Sequence, residues 1–300
     1  METRIEQLPG GYVDGTGRVH RSVELVPLTG REEECLAGHQ NQVSASLVTT
    51  LLSRCVRTIG TISPITEDMT RQLLVADRQF LLLKLREMTF GDQVQATILC
   101  PWPNCGNQVD IDFSTRDIPI EESADKGPTY SITLSPEAIQ KGGMQPDESH
   151  LVFRLPNGED QETLAPLMAN NEAAAFTGLL TRCIQQIGSE RDPSPEKINQ
   201  LSPGARMEIE QAMQAQAPKI DLTLGANCPE CHREFTMPFD LQQFFFGEWH
   251  TSHDLLYREV HYLAYHYHWS EEEIMDFPRE KRRKYIEVLA EEIERLNNAI

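Results

Sequence analysis

Three hundred residues with 39% hydrophobic and 24% charged content can bury a sizeable core and make one or two folded domains. A net charge of −19 argues against a surface that displaces counterions from a phosphate backbone, so protein partners are expected and nucleic acid is not. No apolar run approaches the roughly 18 residues of a membrane span, and METRIEQLPGG does not read as a signal peptide, which makes a cytoplasmic protein without a membrane partner the expectation.

Residues 1–24 read as an N-terminal β-hairpin, with Gly15-Thr16-Gly17 between two short alternating runs. Residues 25–115 then give a turn at Thr29-Gly30, an acidic helical stretch, a helix around Val43 to Ile59 and a second from about Glu67 to Met88. A strand Val94 to Leu99, a cysteine-flanked turn and a return strand Val109 to Phe113 follow. Residues 116–152, rich in Asp, Glu, Pro and Gly, form a connector. It holds two strand-like runs, Tyr130 to Leu134 and Leu151 to Leu155, that suit a hairpin standing in for the N-terminal one.

Residues 153–248 run through the same series again. Asn157-Gly158 opens it, a helix spans Ala173 to Ile187, and Ser194-Pro195-Glu196 supplies a polar cap, a proline at the first helical position and an acid in the first turn. Leu222-Thr223-Leu224 leads into the second cysteine turn as a strand. Residues 249–300 have no counterpart. Leu256, Val260, Leu263, Ala264 and Tyr267 share one helical face, Ser270 and Glu273 fit a capping box stapled by Trp269 on Ile274, and Pro278 opens a last helix.

The recurrence is visible residue by residue. LLSRCVRTIG at Leu51 to Gly60 returns as LLTRCIQQIG at Leu179 to Gly188, an offset of 128 that also pairs Gly30 with Gly158, Arg78 with Arg206 and Cys100 with Cys228. Past that cysteine the offset falls to 126, because CPWPNC is two residues longer than CPEC, and pairs Cys105 with Cys231. A register held so long implies tandem duplication. The expected fold class is α+β: duplicated helix-helix-strand-knuckle-strand modules sharing a four-cysteine, zinc-ribbon-like site, with a C-terminal helical hairpin.

Cys100, Cys105, Cys228 and Cys231 are the candidate metal ligands, each pair flanking a tight turn between strands, and together they would supply the four thiolates of a structural zinc. The alternative is reduced surface thiols or a relic site. A closed four-thiolate site has no open position for activating water, and the zinc-deaminase, His-Glu-x-x-His, phosphate-loop and serine-nucleophile patterns are absent, so neither catalysis nor a small-molecule substrate is expected. Cys55 and Cys183 sit at matching places on apolar helix faces and read as core. Histidines 250, 253, 261, 266 and 268 crowd one stretch with tyrosines. Of these residues Tyr257, His261, Tyr265, His268 and Trp269 make an aromatic helical surface suited to a protein partner, rather than a second metal site. The run Arg279 to Lys284 reads as a solvated face.

LPGGYVDGTGRVHRSVELVPLTGREEE, the two knuckles, and YREVHYLAYHYHWSEEEIMDFPREKRRKYI together resemble the T-even-type phage baseplate hub assembly proteins, which include relatives encoded with contractile phage tails and tail-like injection systems. The resemblance implies a non-enzymatic role in building the hub, with baseplate hub, spike or tail-tube-initiating proteins as partners, and incorporation in the particle or departure before completion. The zinc expectation rests on the cysteines and not on the resemblance. A zinc-ribbon regulator of transcription is the competing reading, opposed by the charge.

Overall fold

The computed structural model describes residues 3–37, 44–123, 127–141, 145–250 and 253–298, with the backbone alone at 37, 141, 249, 250 and 253. Mixed helix and strand content makes the fold α+β. The chain begins with strands β1 (Arg4–Val13) and β2 (Val19–Leu25). Asp14 closes their hairpin by accepting from the Thr16 and Arg18 N–H groups and the Thr16 hydroxyl, while Gly17 takes a φ of 84°. Helices α1 (Gly30–Ala37) and α2 (Ala45–Cys55) precede β3 (Val56–Ile59), which pairs with β2. Then come α3 (Glu67–Gln72), α4 (Val75–Phe90) and the hairpin of β4 (Gln93–Leu99) and β5 (Gln108–Ser114).

After the two-residue strand β6 (Ile120–Glu121), the second half runs β7 (Tyr130–Thr133), α5 (Pro136–Lys141), β8 (His150–Phe153), α6 (Gly158–Asn170), α7 (Glu172–Cys183), β9 (Ile184–Ile187) and β10 (Glu190–Arg191). It continues through α8 (Pro195–Asn199), α9 (Pro203–Gln216), β11 (Lys219–Ile220) and the hairpin of β12 (Thr223–Asn227) and β13 (Glu234–Pro238). Helix α10 (Leu241–His250) packs on the first half's core, and the tail comprises α11 (His253–Tyr267), α12 (Glu271–Met275) and α13 (Arg279–Asn297). The connector's two strand-like runs pair with each other, and β8 also pairs with β9, so part of the connector belongs to the second half's core.

Two expected helices end early. α2 stops at Cys55 and α7 at Cys183, and the next four residues of each are strand. Val56 and Ile59, like Ile184 and Ile187, are β-branched and buried, so a pleated strand against β2 or β8 suits them better than another helical turn. Gly60 and Gly188, both at φ 58°, then turn the chain out. Val43 lies outside the described residues. The helix expected from Glu67 to Met88 is split at Leu73-Leu74, whose extended backbone bonds across to the second half: Val75 N–H donates to the Pro156 carbonyl, and Gly158 N–H to that of Leu73.

Bonds recur at matching positions. Val26 N–H donates to the Cys55 carbonyl as Arg154 N–H does to Cys183, and Gly60 N–H donates to Ser22 as Gly188 N–H does to His150. Each half has its own apolar core, around Leu8, Leu52, Leu81 and Phe245 in the first and around Leu151, Phe153, Leu180 and Ile209 in the second. A third cluster, around Leu256, Leu263 and Ile274, holds the tail together. Among the described residues no helix is long and apolar enough to cross a membrane.

Candidate metal centre

β4 and β5 pair from Gln93–Ser114 to Leu99–Gln108, and β12 and β13 from Thr223–Pro238 to Asn227–Glu234. At the tip of each hairpin the backbone folds round its first cysteine: Cys100 N–H donates to the Asn107 carbonyl and Cys228 N–H to that of Arg233. Gly106 and His232, the residues after the second cysteines, occupy the left-handed region at φ 64° and 56°. That conformation curls both second thiols back toward the first.

All four Sγ atoms lie within 4.8 Å of one another. The contacts cross between hairpins, Cys100 to Cys231 at 3.7 Å and Cys105 to Cys228 at 3.6 Å. A tetrahedral ion with metal–sulfur bonds of about 2.3 Å has sulfur–sulfur edges of about 3.8 Å, so this spacing fits four ligands round one metal. It is far beyond the roughly 2.05 Å of a disulfide. The hairpins form separate sheets, and what joins them here is the sulfur cluster with a small apolar shell of Val109, Phe235, Ile98, Ile111 and Met237. Trp102 covers the join, donating from Nε1 to the Glu234 carbonyl beneath the Arg233 guanidinium. As thiols the four are unequal: backbone N–H groups of Cys231 and Glu230 lower Cys228 to about 7, while burial pushes Cys100 up to about 12.

The tail residues expected to meet a partner divide. Tyr257, His261 and Tyr265 follow one another along an exposed strip of α11, Tyr265 at 68% exposure, with the His261 and Tyr265 rings 6.4 Å apart and the Tyr257 hydroxyl donating to Glu34 of α1. His268 is exposed at the end of α11, at φ 57°. Trp269 instead turns inward, stacked on Tyr267 at 4.6 Å and edge-on to Tyr285. The capping box of Ser270 and Glu273 forms. His250 and His253, one pair in the crowded histidine stretch, have side chains outside those described. Among the described residues the four cysteines are the one cluster with metal-ligating geometry.

Sequence reasoning missed the buried charges. In the run Arg279 to Lys284, Arg282 is fully buried, donating to Glu33 of α1 and Glu259 of α11, and Arg279 lies over the Phe90 ring. Arg78 is 1% exposed and donates to the Thr49 hydroxyl and to the Thr70 and Ala45 carbonyls. Asp77, equally buried, accepts from the Gly10 and Gly11 N–H groups, and its desolvation raises it to about 6. A signal existed: Thr66, Ser194 and Ser270 each start a short helix, and an arginine follows twelve residues later every time.

The model of the T4 bacteriophage base plate protein family matches residues 5–246. This chain belongs to that family. A second model, of a family of unknown function, matches residues 250–300, so the two meet at the end of α10. Comparison with curated proteins and with solved structures finds no match. The base plate family match takes in both cysteine hairpins and both apolar cores, while the strip of Tyr257, His261 and Tyr265 lies wholly in the second match. Membership implies contact with other base plate components.

Proposed function

We propose that this base plate family protein is a non-enzymatic hub assembly factor or structural base plate component of a contractile tail or injection system, built on a zinc-stapled duplicated core. The carrying observation is the crossed four-sulfur cluster between two hairpins that form separate sheets. Four thiolates in tetrahedral spacing suit zinc, and such a closed site serves structure rather than catalysis. Cys100 and Cys105 would hold it from one repeat, residues 25–115, and Cys228 and Cys231 from the other, residues 153–248. The matched bonds round Cys55 and Cys183 support the duplication.

The tail, residues 249–300, supplies the partner surface in this reading, through Tyr257, His261, Tyr265 and His268, with Trp269 setting the hairpin that carries them. Its partners are hub, spike or tube-initiating proteins, met in the producing cell's cytoplasm and, if it stays, in the particle.

Because α1 rests on the tail through Glu33 and Arg282, deleting residues 249–300 would strip part of the core. Tyr257→Ala with Tyr265→Ala is the cleaner test. Metal analysis of the purified chain is expected to give one zinc per protein. Co-purification from producing cells is expected to recover hub components with the wild type and to lose them with the double variant while zinc is retained. Hub proteins recovered equally with both would sink the surface assignment, and a zinc-free, fully folded chain would sink the staple.

A further inference from the structure

Three places in the chain share one construction. A capped short helix ends in an extended residue, Leu74 (φ −58°, ψ 149°), Ser202 (−61°, 154°) or Pro278 (−59°, 152°), and a longer helix follows with an arginine at its fourth position. The arginine reaches back over the break. Arg78 donates to Thr70 and to the Thr49 hydroxyl of α2, Arg206 donates to Ile198 and to the Thr177 hydroxyl of α7, and both acceptor pairs lie at the 128-residue offset. Arg206 donates to Leu201 as Arg282 does to Phe277, each five residues back.

Two of these sockets are filled by the chain itself. Asn157 bridges Leu74, and Thr29 bridges Pro278. In each case the bridging residue is followed by a glycine that opens a helix, at a place where a side chain would press on the socket. A Cβ at Gly158 would run into the buried, hydrogen-bonded Arg78 guanidinium, and one at Gly30 would lie 2.7 Å from the Met275 sulfur. An acid on the next turn meets the socket's cations: Glu162 accepts from Arg71 and from Thr49, and Glu33 accepts from Arg282. Under these plugs Arg78 and Arg282 are sealed from solvent.

The third socket, formed by α7, α8 and α9, has no such bridge among the described residues. Val48, Thr49 and Arg78 are buried in the first socket, but their counterparts Phe176, Thr177 and Arg206 are half-buried, and Asn199 is exposed where Arg71 of the first socket is half-buried. Helix α5 does not fill it. It lies by Ser202 and Gly204, the flank that corresponds to the Gly10 loop on α4.

We propose that the α7–α8–α9 face is a docking socket for a segment of a partner protein shaped like this chain's own plugs: an extended residue, a glycine that starts a helix, and a carboxylate on the next turn. Both internal plugs are already seated, so a second copy would have to unseat one, which favours a different protein. Pro203 stands where Val75 donates to Pro156, so the incoming strand keeps one bridging bond, to the Leu201 carbonyl, instead of two. The identity of the partner as a base plate component rests on the function proposed above. The binding itself does not, and its test needs no particle.

The probe is a synthetic peptide of residues 152–170, titrated into the full-length protein, with backbone amide exchange mapping the site. Saturable binding that protects α8 and the start of α9 is expected. Arg206→Glu should weaken it at least tenfold, and so should Gly158→Val in the peptide. Asn199→Arg, which restores the cation that Arg71 offers Glu162, should strengthen it up to about fivefold, and Asn199→Glu should weaken it. If Arg206→Glu fails to fold, the opposed pair at the exposed Asn199 carries the test. Absence of saturable binding, indifference to these changes, or protection at α3 in place of α8 overturns the proposal. So does self-association of the chain that Asn199→Glu abolishes, which would make the occupant a second copy.

Discussion

The cysteine hairpins and the arginine sockets join the halves of one chain by opposite means. At the hairpins, two thin sheets with few apolar side chains meet at four sulfurs, and under the proposed zinc staple their cohesion falls to the metal. At the two filled sockets the Arg78 and Arg282 guanidinium groups are sealed from solvent, and their terminal nitrogens donate to backbone carbonyls, a hydroxyl or a carboxylate. A metal site works with almost no core but fails as a unit when a ligand is lost. A buried charge needs a complete set of partners, and so specifies one docking geometry.

Metal removal should separate the two most sharply. Structural zinc contributes about 10–16 kcal/mol in small peptides, and the hairpins have little else. Chelation, or Cys228→Ser, is expected to collapse amide protection across β4, β5, β12 and β13 while α4 and α9 stay protected. Loss of protection everywhere at once would show that the hairpins and helices are one cooperative unit and would break the comparison.

Next in size is Arg282→Ala. It leaves Glu33 and Glu259 facing each other without their shared cation, and breaking a buried pair from one side typically costs about 3–5 kcal/mol. Arg206→Ala, with the same backbone role but no plug above it, should cost less than half as much in urea unfolding. Equal losses would mean that the half-open socket is as tightly closed as the filled ones.

Asp77 gives a pH-dependent version of the same contrast. Burial raises its folded value to about 6, above the ordinary carboxylate range. Between about pH 4 and 6 the folded chain keeps a proton that the unfolded chain releases, so this group's contribution to stability falls as pH rises through that window. The loss amounts to about 3 kcal/mol at most. Unfolding curves of wild type and Asp77→Asn should therefore converge or cross as pH climbs from 4 to 7. Parallel stability-versus-pH curves would contradict it.

The sequence carried the cysteine pairing, the strands leading to it and the capping signals, because each depends on neighbours within a few residues. The ends of α2 and α7 were hidden because RCVRTIG and RCIQQIG continue an apolar helical rhythm, and only pairing with β2 and β8 decides that Val56 and Ile184 extend. The split at Leu73-Leu74 was hidden for a similar reason: a leucine pair in mid-helix gives no local stop, and the bonds that hold it open come from Pro156 and Gly158. Arg282 looked solvated because its carboxylate partners are 249 and 23 residues away in sequence. Comparing the three capped helices with one another would have exposed it, since the arginine keeps its distance from the cap in all of them.

The smallest effect tests that common construction directly. Thr66, Ser194 and Ser270 each accept a hydrogen bond from the N–H three residues on, at the start of a short helix. Replacing a capping hydroxyl by alanine costs about 1 kcal/mol on average. The three sites should not respond alike. Thr66 and Ser270 begin helices pressed against a docked plug, so fraying there also loosens α6 or α1, and the loss should register in global unfolding. Ser194 begins α8, whose outer face is open, so Ser194→Ala should fray that helix locally, raising amide exchange over Glu196 to Gln200 with a smaller change in the unfolding midpoint. A Ser194 variant as costly as the other two would mean that α8 already carries a load from within the chain, and that the third socket is less open than its exposed Asn199 and half-buried Arg206 indicate.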